Sequence, residues 1–134
     1  MAPRTRLAET AKTLKGTHVD LGLDVKEQNG WAVLSVQGEV DVYTAPQFRE
    51  QLIQLVDEGQ RNILVDLEGV EFLDSTGLGV LVGGLKRVRS HDGDLALVCT
   101  QRRILKVLEI TGLTKVFTIY DTVDAAMSGA DGQA

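Results

Sequence analysis

The chain has 134 residues, 43% hydrophobic and 25% charged, which suits a single domain with one core. Its formal net charge of −5 hides an asymmetry: residues 21–134 hold ten basic and seventeen acidic side chains, whereas residues 1–20 carry Arg4, Arg6, Lys12 and Lys15 against Glu9 and Asp20. An acidic body disfavours nucleic acid as the main partner, because neutralising phosphates supplies most of that affinity. No run approaches the ~18 apolar residues of a membrane span, the first twenty residues lack the apolar core of a signal peptide, and a lone Cys99 permits no internal disulfide. The expectation is a cytoplasmic protein without a membrane anchor.

Residues 1–20 show no sustained period and read as a flexible tail. Leu21, Leu23 and Val25 then alternate with Gly22, Asp24 and Lys26, Asn29-Gly30 supplies a tight-turn dipeptide, and Ala32, Leu34 and Val36 resume the alternation. That is a β-hairpin. Next, Thr44 and Gln47 have capping-box spacing and Pro46 falls in a first helical turn. Phe48, Leu52, Leu55 and Val56 form the stripe of an amphipathic helix over about 45–58, which Gly59 closes.

"NILVDLEGV" has the profile of a central strand. Leu78, Leu81, Val82, Leu85 and Val88 keep helical spacing over about 76–90, until "SHDGD" breaks it. "LALVC" reads as a further buried strand, "QRRILKVLEITG" as a helix with Gly112 at its C-cap, "KVFTIY" as a last strand and "DTVDAAM" as a last helix. Strands joined through helices run parallel by right-handed crossovers, while the hairpin is antiparallel. The expected architecture is an open, mixed α/β sheet of about five strands with about four helices, spanning 21–128, and residues 129–134 are expected to form a second flexible tail.

The stretch "EFLDSTGLGVLVGGLKRV" concentrates the chemistry. It is not a P-loop: Gly79 and Gly84 have the spacing, but Leu85 stands where the lysine must be. Gly79 and Gly83, four apart, are expected to allow close approach of a neighbouring helix or strand, so filling Gly79 should harm the fold more than changing Gly93 in the turn. Ser75 as a nucleophile would need a base, and the two histidines, His18 and His91, lie far off in sequence without orienting partners. Metal ligands are scattered; Asp41 and Asp74 could hold a magnesium ion, but no spacing demands it. Asp74 or Ser75 can instead cap the helix that starts near Thr76. A serine at this strand-to-helix junction also lies at the edge of the sheet where ligands and partners of open α/β folds act, and the helix dipole would tolerate a phosphate there. Helix cap and modification site both remain open on this reading.

"GEVDVYTAPQFREQL", "ILVDLEGVEFLDSTGLGVLVGGLKRV" and "RRILKVLEITGLTKVF", in that order, resemble the STAS-domain anti-sigma factor antagonists of bacteria, over about residues 20–128. The D-S-x-G-L-G block is the most diagnostic of these, and "DSTGLGVLVGGLKRVRSHDG" looks especially like the developmental and stress-response branch of filamentous actinobacteria. The resemblance implies a non-enzymatic switch without a cofactor. Its unmodified form binds an anti-sigma factor that is itself an ATP-dependent serine kinase, which frees a sigma factor. The kinase then phosphorylates the antagonist, and a metal-dependent Ser/Thr phosphatase restores it. By resemblance Ser75 is the phosphoacceptor, with Thr76 as a second candidate, and Asp41, Asp74, Ser75, Thr76 and Gly77 form the partner-binding surface. The alternatives are a scaffold or sensor STAS module in a larger assembly, and a small-molecule (nucleotide) binding module.

Overall fold

The computed structural model describes residues 21–128; the two expected tails lie outside the described residues. Strands β1 (Gly22–Gln28) and β2 (Trp31–Val40) form the antiparallel hairpin. Its turn residues Asn29 and Gly30 have φ of 51° and 85°, the left-handed pair that matches the twist of a two-residue hairpin. Three crossovers follow: α1 (Ala45–Asp57) leads to β3 (Asn62–Leu73), α2 (Ser75–Arg89) to β4 (Asp94–Val98), and α3 (Arg102–Ile110) to β5 (Ile119–Tyr120). A short helix α4 (Val123–Met127) ends the described chain.

The sheet order is β1-β2-β3-β4-β5, antiparallel at the hairpin and parallel elsewhere. Because each crossover steps to the next strand in the same direction and with the same hand, α1, α2 and α3 fall on one face. Alternate strand residues there, among them Leu34, Val65 and Leu97, pack with Phe48, Leu52, Leu81, Leu85 and Leu108 in the main core. The expected helical stripes are confirmed, with Leu52, Leu81 and Leu85 at most 3% exposed. On the opposite face Val33, Leu64, Ala96 and Val98 form a smaller cluster with Ala126 of α4.

Two local expectations change. "KVFTIY" is not a six-residue strand: Gly112 (φ 78°) ends α3, residues Leu113–Lys115 make a 3-10 turn, and only Ile119–Tyr120 pair with β4. The amides of Val116 and Phe117 are taken by the Leu113 carbonyl, so these two residues have no donors for a ladder, and Phe117 is buried against the core instead. The glycines of α2 also exchange roles. A Cβ at Gly79 or Gly83 would meet nothing within 4 Å, whereas one at Gly77 would lie 2.5 Å from Leu73 Cδ1 and 2.6 Å from Val40 Cγ1. At Gly84 the nearest atom is Leu52 Cδ1, at 2.9 Å. Close packing belongs to Gly77 and Gly84, seven residues or about two turns apart on the buried face.

Strand β3 runs further than expected, and this builds the site. Its pairing with β2 shifts register between Ser35 and Gln37 and again between Gly38 and Glu39. The extra β3 residues are bulges. Gly69 permits the first, since a Cβ there would sit 2.7 Å from Gln37 Cγ. The Gln101 amide, at the start of α3, donates to the carbonyls of Glu68 (2.9 Å) and Val70 (2.7 Å) in the bulged stretch. After both shifts Val40 is level with Leu73, and the two strands end together.

Candidate functional site

The ends of β2 and β3 deliver two aspartates to one place. The Asp74 amide donates to the Val40 carbonyl at 3.2 Å, so Asp41, the next residue, begins its turn beside Asp74. Each carboxylate then caps its own turn. Asp41 Oδ1 accepts the amides of Tyr43 (2.9 Å) and Thr44 (3.1 Å). Asp74 Oδ1 accepts those of Thr76 (2.9 Å) and Gly77 (3.2 Å), as an N-cap does. In both aspartates the backbone donors meet Oδ1 alone. Among the described residues no group of three or more His, Cys, Asp or Glu could hold a metal ion.

The capping box expected at Thr44 is absent. Thr44 is 2% exposed and its hydroxyl accepts the Asp41 amide (3.0 Å) and donates to the Glu39 carbonyl (2.7 Å). It fastens the turn to the end of β2, and Asp41 takes over the donors of that turn. Sequence spacing gave no warning, because a threonine that caps forward and one that clamps backward look alike.

The two hydroxyls differ in one respect. The Thr76 hydroxyl donates to Asp74 Oδ1 in a short hydrogen bond. Ser75, the first residue of α2, is exposed, and its hydroxyl has no hydrogen-bond partner among the described residues. Gly77 lies buried beneath them between Leu73 and Val40. The sequence-derived set of Asp41, Asp74, Ser75, Thr76 and Gly77 is therefore one contiguous patch, with Gly77 its packed floor and not a contact surface.

A family model for the STAS domain matches residues 22–126. The chain belongs to the STAS domain family. It is 37% identical over 101 residues, 75% of this chain and 92% of the relative, to the anti-sigma-B factor antagonist of Bacillus subtilis. A Staphylococcus aureus protein of the same name is 40% identical over 95 residues, covering 71% and 88% of the two chains. In structure, an anti-sigma factor antagonist from Mycobacterium paratuberculosis superposes with a TM-score of 0.76 at 29% identity, covering 82% and 93%.

Around the patch this STAS domain exposes Val42 (58%), Tyr43 (72%) and Phe72 (48%), three of its five large exposed hydrophobics among the described residues. All three sit within two residues of Asp41 or Asp74. Sequence reasoning missed them, although an apolar pair following an aspartate in a turn was a usable signal. A trough of about 670 Å³ between α1 and α2 was missed as well; Thr76 and Val42 line it. No helix among the described residues is long and apolar enough to cross a membrane.

Proposed function

We propose that this STAS domain is an anti-sigma factor antagonist that binds an anti-sigma factor serine kinase through the Asp41–Asp74–Ser75 face and is released by phosphorylation of Ser75. It acts by binding and not by catalysis, in the cytoplasm, and a metal-dependent phosphatase resets it. One observation carries the choice of residue: the Ser75 hydroxyl is exposed and has no partner among the described residues, while its neighbour Thr76 donates its proton to Asp74. The relatives called anti-sigma-B factor antagonists support the partner class.

The geometry suits release by charge. A phosphate adds about −1.5 to −2 charges, and the amides of Thr76 and Gly77 are already taken by Asp74. It would not find those first-turn donors free and would project into solvent beside two carboxylates. The apolar rim of Val42, Tyr43 and Phe72 supplies contact area that a charged, hydrated group at its centre would spoil. A useful switch must weaken binding by about 2–3 kcal/mol, roughly 30- to 150-fold.

Titration of the kinase with the unmodified, phospho-Ser75, Ser75→Ala and Ser75→Glu forms tests this, with mass-spectrometric mapping of the phosphate. Ser75→Ala should bind like the unmodified chain and accept little or no phosphate. Ser75→Glu should bind more weakly, yet better than the phosphoprotein. Equal affinity of modified and unmodified forms, or phosphate mapped mainly to Thr76, would overturn the assignment.

A further inference from the structure

Leading away from the Ser75 face between α1 and α2 is the trough of about 670 Å³. On the α1 side it is walled by Pro46, Arg49 and Ile53, and on the α2 side by Val80 and Arg87. Its floor is backbone: Gly79 and Gly83, one turn apart, are exposed, and a Cβ at either would meet nothing within 4 Å. Two glycines without packing partners in mid-helix cost stability, each about 0.5–1 kcal/mol relative to alanine. The fold does not use the space they leave open.

Charge and continuity select the occupant. Residues 21–134 carry ten basic against seventeen acidic side chains, yet the charged residues lining the trough are Arg49 and Arg87, with no carboxylate. Arg49 has no ion pair among the described residues, and Arg87 has only a loose one, 3.8 Å to Asp57 with both side chains well exposed. Thr76 lines one end of the trough, beside Ser75. From Thr76 to Arg87 the trough follows α2 for eleven residues, about 16 Å at 1.5 Å per residue, which is three turns.

We infer that this trough is the second half of the partner interface, and that it takes an acidic, amphipathic helix of the same serine kinase that engages Ser75. The inference rests on the reading of Ser75 as the kinase target. The partner helix lays its apolar stripe over Pro46, Ile53 and Val80, comes close to α2 where Gly79 and Gly83 leave no side chain, and sets carboxylates against the two guanidinium groups. Such helix-in-groove docking gives affinity through the apolar face and orientation through the charges. It also separates docking from chemistry: the trough holds the kinase while the Ser75 hydroxyl enters its active site.

The test uses the full chain and the purified kinase that phosphorylates it. Arg49→Glu/Arg87→Glu reverses the charge and Gly83→Leu fills the floor; circular dichroism and thermal melting confirm that each variant folds. Each should weaken binding at least tenfold and raise the KM for phosphorylation of Ser75, with kcat near that of the unaltered chain, and raised salt should weaken wild-type binding. Variants that bind like the wild type while Ser75 is still phosphorylated would overturn the trough inference alone. A wild-type chain that neither binds the kinase nor becomes phosphorylated would overturn the functional reading, and this inference with it. Two further results would reassign the trough: amide shifts at Gly79 and Gly83 produced by ATP or inorganic phosphate alone, which would mark a small-anion site, or a dimer in light scattering that Gly83→Leu abolishes.

Discussion

Asp74 accepts both the amide and the hydroxyl of Thr76, and this pairing separates two adjacent hydroxyls that a sequence cannot tell apart. The carboxylate that caps α2 also masks the second candidate for modification, leaving Ser75 as the hydroxyl without a partner among the described residues. Asp74→Ala should therefore have two effects. It removes the N-cap, at a cost of about 0.5–2 kcal/mol in denaturant unfolding. It also frees Thr76, so phosphate mapping after kinase treatment should find a larger share on Thr76 than in the unaltered chain. Loss of stability with no change in the sites of phosphate would separate capping from site selection.

Thr44→Val tests the clamp under Asp41. The substitution keeps the volume but leaves the Glu39 carbonyl and the Asp41 amide without the partner each has at 2.7 and 3.0 Å. At a position only 2% exposed, the expected loss is about 1–3 kcal/mol. Kinase affinity should fall as well, because the Asp41 turn loses its anchor. A variant with wild-type melting and wild-type affinity would remove the clamp from the account.

The glycine pair now ranks opposite to the sequence expectation. A Cβ at Gly93 would lie 2.2 Å from the Arg61 carbonyl oxygen, an atom fixed by its own bond from the Asp94 amide at 2.8 Å. Gly93→Ala should cost about 1–3 kcal/mol as backbone and strand shift. Gly79→Ala adds a methyl in open space and should raise stability by about 0.5–1 kcal/mol. Chemical denaturation of both variants decides the order.

Cys99 offers a pH test. Burial pushes its thiol from 9.0 up to about 11; a backbone hydrogen bond from Gln101 opposes this, and the nearby Glu68 and Asp66 add to it. The unfolded thiol ionises first, so the stability it contributes is whole below pH 9 and is lost as pH rises through 11. Alkylation by iodoacetamide at pH 8 should be slow until denaturant is added. Between pH 9 and 11, Cys99→Ala should lose less stability than the unaltered chain. Equal slopes for the two proteins would remove Cys99 from the pH dependence.

The sequence alone determined what depends on local period and local chemistry. The alternation about Asn29-Gly30, the stripes of Phe48 to Val56 and of Leu78 to Val88, and the order of elements were legible because strand and helix periods are set by neighbours along the chain. The D-S-x-G-L-G block pointed to Ser75 by resemblance, and Asp74 could be read as a cap from its position. Only tertiary structure decided the rest. Two register shifts in β3 bring Asp41 and Asp74 level, and register is a property of paired strands that neither strand encodes alone. Thr44 turned backward to Glu39, not forward into its helix. Gly77 and Gly84 proved to be packed, while Gly79 and Gly83 proved open, because which face of a helix is buried depends on the side chains of α1 and of β2, β3 and β4 that meet it. The Thr76 hydroxyl is engaged, and that of Ser75 is without a partner among the described residues, because of where the Asp74 carboxylate reaches once the strand has ended and the helix has begun.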